Sequence, residues 1–374
     1  MGQKGRQHYV PKFYLRNFSE TDKSISTLSI DNSKYIGTAS IKDMCQKNNF
    51  YGEDKVIENF LDVDIERQAS KIIREIDETN KFPSPEHEPE NYHHMVAFLL
   101  VSEGRNLKNA NSTERMTDFV AKTMIKEHPD YKHLDTNSFD VKIKEPANQG
   151  IGIALESVPM VLDLKPLIIV HKTPRKFITS DNPLVRYNSF YIGRNYQDRG
   201  FGYITRGLQL FFPITPHKCI LLYDSVAYNI PGAEEGALTL HRARDVDRLN
   251  ELFYLNAYNN VFLNQRVKED YIKKMHYKNR KTSKMGELDR EIGSFTSTDS
   301  SDGKLIHISP NRVTKKITLD WIKDSETAKQ LSLPPHMGGL QRTESPFIRD
   351  LLRKDKEKYK RNIHKVDSPQ TFKR

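Results

Sequence analysis

The stretch "GLQLFFPITPHKCILLYDS", residues 207–225, sets two apolar runs rich in aromatic and aliphatic side chains on either side of Thr215-Pro216-His217. Such residues fit a pleated, half-buried surface, and Gly and Pro punctuate it, so the stretch predicts strands joined by a turn. "PLIIVHK" (166–172), "RKFITS" (175–180) and "LVRYNS" (184–189) carry the same signal and make residues 165–230 a strand-rich region. Upstream, Ile57, Leu61, Ile65, Ala69, Ile72 and Ile76 recur every three or four residues, which predicts an amphipathic helix over 55–78. Prolines 83, 85 and 89 in "FPSPEHEPE" end it. A second helix is expected over 91–105 and a third from Ser112, read as its N-cap, to about Glu127. Downstream, helix returns over 242–275.

Helices first, then strands, then helix argues for an α+β fold rather than a βαβ repeat: a helical N-terminal lobe packed on a central mixed or antiparallel sheet. Residues 1–275 form the expected core domain, with helical part 53–130, strand-rich part 165–230 and helix 242–275. Residues 276–374 are expected to be a basic, partly mobile extension ending in a short basic helix beyond Thr343 and a frayed end.

The chain has 374 residues, 36% hydrophobic and 29% charged, with a mean hydropathy of −0.70 and a net charge of +10. The surplus is local. Residues 266–290 hold nine basic and four acidic side chains, and residues 341–374 hold eleven and five. An anionic partner follows, with nucleic acid, DNA or RNA, the first choice. Cys45 and Cys219 stand far apart with no CxxC, so neither a disulfide scaffold nor a structural zinc site is expected. "MVAFLLV" (95–101) is the longest apolar run and is far short of a membrane span, so a cytoplasmic location with no membrane partner is expected.

Near the start, "HYVPKFYLRNF" (8–18) interleaves rings with polar groups, and "FITSDNP" (177–183) closes an apolar strand with turn residues. Together these motifs resemble the signatures of a mainly bacterial family known as domain of unknown function 4238, over about residues 7–265. The resemblance implies a large α+β domain in which the two motifs meet. It supplies no catalytic residues, and family members commonly carry Gln where this chain has Lys12. Some relatives look like accessory genes of mobile or defence islands, which implies anti-phage defence.

Candidate site residues come from the polar members of these motifs. The residue before Pro11 is kept out of the helical region, so "HYVP" reads as extended, with His8 and Val10 on one side and Tyr9 and Pro11 on the other. His8 either enters a cleft or bonds a backbone carbonyl. Asp181 and Asn182 either close an Asx-turn or offer a carboxylate and an amide to a metal or a ribose. Glu58, Asp62 and Glu66, four apart, form a carboxylate ladder that either binds Mg²⁺ or pairs with Lys55, Arg67 and Lys71. Arg105 falls at a helix C-terminus, where it can fork onto a phosphate or Asp181. Asn256, Asn260 and Asn264 repeat along the last helix and line a polar cleft or face solvent.

The sequence has no GxxxxGK[ST], GxSxG or HExxH and no GxGxxG after a strand. The leading expectation is a metal-dependent nuclease or related phosphoryl-transfer enzyme using Mg²⁺ or Mn²⁺. His8 would be general base or metal ligand, Asp181 and Glu66 metal ligands, Arg105 the phosphate clamp and Asn182 an orienting group. The alternatives are a non-catalytic module that binds nucleic acid or a partner protein, and a transferase that uses NAD or another nucleotide. A partner protein or a homo-oligomer is left open.

Overall fold

The structure is a computed structural model that describes residues 5–196, 199–282, 288–296, 302–310, 312–333 and 339–366. The chain opens with β1 (Arg6–His8), α1 (Lys12–Arg16), β2 (Ser24–Ser29), β3 (Tyr35–Ser40) and β4 (Gln46–Asn48). A long helix follows as α2 (Val56–Phe60), a π-helical turn over Leu61–Glu66 and α3 (Arg67–Thr79). Next come α4 (Pro89–Gly104), α5 (Leu107–Glu127) and α6 (Pro146–Glu156). The strand-rich part holds β5 (Lys165–His171), β6 (Thr179–Ser180), β7 (Val185–Tyr187), α7 (Ser189–Ile192), β8 (Gln209–Thr215), β9 (Lys218–Tyr223), β10 (Tyr228–Asn229), β11 (Ala233–Glu234) and β12 (Ala237–Leu240). The chain continues through α8 (Ala243–Asn256), β13 (Asn260–Leu263), α9 (Glu269–Asn279), β14 (Leu288–Thr296), β15 (Asp302–Pro310), β16 (Lys323–Asp324), α10 (Glu326–Gln330) and α11 (Pro346–Val366). The fold is α+β.

The quoted stretch forms β8 and β9, adjacent inner strands of a six-stranded sheet ordered β11-β12-β5-β9-β8-β7, antiparallel except for β12 beside β5. Both faces are covered. Leu210, Phe212, Ile214, Ile220 and Leu222 pack into the core shared with α3, α4 and α6, while Phe211, Cys219, Leu221 and Tyr223 pack into the core shared with α8. Alternate residues of a strand point to opposite faces, so one apolar run feeds two cores. A second, antiparallel sheet, β3-β2-β13-β6, carries the N-terminal hairpin and the "SDNP" strand.

Several expectations about segments change. The helix over 242–275 is two helices, because the chain leaves α8 after Asn256, wraps its backbone around Asp181 and enters β13. Asn256, Asn260 and Asn264 therefore lie in three settings and share no helix face. The third helix starts at Leu107, not Ser112: Asn106 is its N-cap, its Oδ1 accepting the Asn109 N–H at 2.8 Å. Tyr9 and Val10 are both buried, since the chain turns from β1 into α1 at Pro11 and the two-sided alternation stops there.

From the basic C-terminal part, Val313, Ile317, Leu319, Trp321 and Ala328 belong to the core around α8, and Ile348 is buried. Arg342, 2% exposed, forks onto Asp163 at 2.8 and 3.0 Å and donates to the carbonyls of Thr205 and Met160. Of the segment expected to be mobile, 283–287 and 297–301 lie outside the described residues, as does the expected frayed end beyond 366. Among the described residues no helix is long and apolar enough to cross a membrane, and both cysteines are free and buried.

Candidate functional site

Where α4 hands over to α5, the polar run Ser102-Glu103-Gly104-Arg105-Asn106 is buried throughout. Gly104 is required by a close approach: a Cβ there would meet the Gly150 carbonyl oxygen of α6 at 2.3 Å. That approach lets the junction sink between the lobes, and each polar side chain must then find a partner.

Arg105 uses all three of its nitrogens. Nε donates to the Tyr51 hydroxyl at 3.0 Å, one terminal nitrogen to Glu66 Oε1 at 2.6 Å, and the other to the His8 carbonyl at 2.7 Å. Tyr51 also donates to the His8 carbonyl at 3.1 Å. Burial pushes the Tyr51 phenol up to about 12. Burial works against the Arg105 charge, but Tyr51 and Glu66 outweigh it and hold the guanidinium ionised. On the other side of the junction Glu103 accepts from Arg186 Nε at 2.7 Å and the Tyr203 hydroxyl at 2.9 Å, and pairs with Arg312. The Arg186 guanidinium also lies 3.6 Å from the Tyr203 ring centroid. Burial raises the Glu103 carboxyl, yet Arg186 and Arg312 overcome it and hold it well below the usual carboxylate range. Lys108, buried on the first turn of α5, has its ammonium disfavoured by burial and by Arg312.

His8 is half-buried, with Nε2 3.1 Å from the Lys42 carbonyl. Burial lowers its pKa, and Lys12 and Arg105 add to that. The π-helical turn breaks the carboxylate ladder: Glu66 swings in to Arg105, Glu58 reaches Gln7 at 3.4 Å, and exposed Asp62 lies 3.8 Å from Arg67. Asp181 is 1% exposed and accepts the backbone N–H groups of Tyr258, Asn259 and Asn260 at 2.9, 2.8 and 3.1 Å. Burial pushes its carboxyl up to about 6 against the pull of those amides. Asn182 accepts from Asn106 at 2.6 Å and donates to the Asn256 carbonyl at 2.8 Å.

The two motifs do meet, but inside the core. Tyr14 of α1 bonds Thr179 of β6 at 2.6 Å and the Pro213 carbonyl of β8 at 2.7 Å. The adjacent residues Arg105 and Asn106 hold one motif each. Glu66 and Arg105 come together with the backbone of His8, and Asn182 lies beside Asn106. Asp181 makes no hydrogen bond or ion pair to His8 or Glu66 among the described residues. The set expected for Mg²⁺ or Mn²⁺ does not fit: both Asp181 oxygens are occupied by amides, Glu66 is held by Arg105, and no three His, Cys, Asp or Glu side chains converge among the described residues.

A match to the family model described as "Protein of unknown function (DUF4238)" spans residues 6–266. The chain belongs to the DUF4238 family. No curated protein and no solved structure matches it. The DUF4238 segment contains the whole α4–α5 junction, both motifs and all but one of the junction's ionic partners; Arg312 lies beyond it.

A different constellation straddles the end of the DUF4238 segment. The β2–β3 turn places Ser33 at φ 57°, a left-handed conformation, against α9. Its Oγ lies 2.8 Å from His276 Nε2, and His276 Nδ1 lies 2.8 Å from the hydroxyl of buried Tyr254. All three line a pocket of about 370 Å³ together with Arg280 and Lys281. Burial and the Arg280 charge lower the His276 pKa, favouring the neutral imidazole. Burial pushes the Tyr254 phenol up to about 12, so it stays protonated. A hydroxyl, an imidazole within reach of its proton and a third group on the far ring nitrogen are thus in file. Sequence reasoning missed Ser33 and His276 because they stand 243 positions apart with no motif around either.

Proposed function

We propose that the chain is a nucleic-acid-acting phosphoryl-transfer enzyme whose reaction runs at Ser33 rather than at the motif residues. The observation that carries this reading is the Ser33–His276–Tyr254 file opening into a pocket walled by Arg280 and Lys281. These cations belong to the basic stretch 266–290, so the chemistry sits where a phosphate backbone is attracted. With Nδ1–H donating to Tyr254, His276 Nε2 accepts the Ser33 hydroxyl proton. The freed Oγ attacks phosphorus, the P–O bond to the leaving sugar oxygen breaks, and that oxygen takes the proton from Nε2. Water, deprotonated by His276, then attacks the serine-bound phosphodiester, and Ser33 Oγ leaves and regains its proton. Tyr254 fixes the ring, and the two cations offset the charge gathering on the phosphoryl oxygens.

The test is incubation of single- and double-stranded DNA and RNA with wild type, Ser33→Ala and His276→Ala, each with and without EDTA. Cleavage by wild type that persists in EDTA, is lost in both variants, and leaves a nucleotide adduct on Ser33 by mass spectrometry is expected. Cleavage that EDTA abolishes and Ser33→Ala spares would return the reaction to a metal centre. No cleavage of any substrate would overturn the enzymatic reading in favour of a binding module.

A further inference from the structure

Three arginines converge on a single carboxylate oxygen, away from the Ser33 pocket. Arg244 Nη2 and Arg248 Nη1 lie 2.8 and 2.9 Å from Asp320 Oδ2, and Arg242 Nη2 lies 3.7 Å from the same atom. One carboxylate oxygen has two lone pairs, so it cannot satisfy three guanidiniums. Among the described residues Arg244 and Arg248 have no other partner, while Arg242 also forks onto Asp245 at 2.8 and 3.2 Å. Three cations thus face two carboxylates, and one positive charge is left over. Arg248 does most to hold the Asp320 carboxyl below its ordinary value, with Arg244 and Arg242 adding to it, so the cluster already holds an anion at neutral pH.

Asp320 is not what holds its own segment in place. Its neighbours Leu319 and Trp321 are 6% and 8% exposed and sit in the core around α8, and the Ile322 N–H closes the turn on the Leu319 carbonyl at 3.1 Å. The Asp320 side chain itself is 30% exposed, and those of Arg242, Arg244 and Arg248 are 50%, 59% and 31% exposed, so solutes reach the cluster. Ion pairs this open to water add little to stability, and the carboxylate can swing out while its turn stays packed. A group with three acceptor oxygens and a second negative charge fits the arginines better than a carboxylate does. A phosphoryl group has both: one oxygen can face each guanidinium, and its charge of about −2 balances the cluster. The rest of such a molecule also has room. Arg242 and Trp321 line an adjoining cavity of about 820 Å³ between the end of α3 and strands β11 and β12, with buried Leu238 and Leu240 as apolar wall. A cavity of that kind beside the cluster favours a small phosphorylated molecule over a polymer backbone. We propose that Arg242, Arg244 and Arg248 bind the phosphoryl group of a small organic phosphate, and that Asp320 is a built-in occupant which the ligand displaces. The adjoining cavity shares no lining residue with the Ser33 pocket.

Trp321, the only tryptophan in the chain, adjoins Asp320, so its fluorescence, with calorimetry alongside, follows the exchange. Full-length wild type, Asp320→Asn, Arg244→Ala and Arg248→Ala are titrated with inorganic phosphate at constant ionic strength, with chloride as the control and a mixed-sequence single-stranded oligonucleotide as the other source of phosphoryl groups. Asp320→Asn removes the competing charge and keeps the shape, and is expected to tighten phosphate by roughly tenfold or more; each arginine variant is expected to weaken it by a similar factor, the size of one charge-assisted hydrogen bond. Melting temperatures should stay close to wild type, since these side chains are all partly exposed. Saturation by phosphate in wild type, or in Asp320→Asn alone, supports the proposal. No saturation in either, an equal response to chloride, saturation by the oligonucleotide only, or an affinity that both arginine variants leave untouched would overturn it. An Asp320→Asn that melts early and gains no affinity would overturn it too, by making Asp320 a plain tether.

Discussion

The α4–α5 junction and the β2–β3 turn beside α9 both gather polar side chains from distant parts of the chain, yet they end in opposite states. At the junction Arg105 is engaged through three nitrogens, Glu103 through both oxygens, and Asp181 nearby through three amides. At the turn, Ser33 is exposed, His276 is half-buried, and their bonds run in a single file that ends in open space. Saturation gives rigidity and leaves nothing for a substrate; a file with one free end can move a proton. The difference teaches that a distinctive polar motif can be the joint of a fold while the reactive group stands in unremarkable sequence.

The largest expected effect breaks the comparison at the turn. Ser33→Ala and His276→Ala should each lower the cleavage rate by roughly 10³-fold or more, with the double variant no worse, as for groups that act as a unit. Their melting temperatures should stay close to wild type, since Ser33 is exposed and His276 only half-buried. Equal losses of rate and folding in circular dichroism would show that the pair is only a tether between the turn and α9.

The junction should behave in the reverse way. Glu103→Ala strands Arg186 and Arg312 without their shared carboxylate, and breaking a buried pair from one side costs about 3–5 kcal/mol. Urea denaturation should show that loss, and any residual folded protein should retain its specific activity. A stable but inactive Glu103→Ala would place the junction in the active site.

A smaller effect sharpens the link between the two motifs. Tyr14→Phe removes the hydroxyl that joins Thr179 to the Pro213 carbonyl and should cost about 1–2 kcal/mol in the same measurement, because the buried Pro213 carbonyl loses its donor and the Thr179 hydroxyl its acceptor.

The gentlest probe is pH. His276 acts as a base only when neutral, and its folded pKa lies below the ordinary 6.5. Activity should therefore hold through neutrality and fall on acidification with a midpoint below 6.5. The same group makes the fold weaker as pH drops below 6.5, because the unfolded chain then binds a proton that the folded chain resists. Arg280→Ala removes a nearby cation and should move the activity midpoint upward; an unmoved midpoint would assign the titration to another group.

The fold was legible where periodicity was strong. The apolar spacing over 55–78 forms a helix, and the runs at 166–172 and 207–225 form strands of one sheet. Residues 242–275 misled because Tyr258 to Asn260 serve a partner 77 positions or more away: their backbone turns to satisfy Asp181, which no local pattern records. Ser112 looked like a cap because the true cap, Asn106, follows directly on what reads as the end of α4. Within the candidate site, Arg105 was visible as a charge closing an apolar helix, while Glu103, two positions earlier, was hidden by the same run. Arg186 and Arg312 could not be tied to it, since only the folded chain brings two such separated positions to one carboxylate.

The bond between Tyr14 and Pro213 also has a meaning in time. Its two ends are 199 residues apart, so Tyr14 leaves the ribosome long before the strand that receives it. At translation rates of about 5–20 residues per second, that interval is on the order of 10–40 seconds. Throughout it, Tyr14, Leu15 and Phe18, all fully buried in the finished protein, have no β8 to cover them. The motif is thus made well before the strand that covers it, and the nascent chain carries these side chains uncovered until β8 arrives.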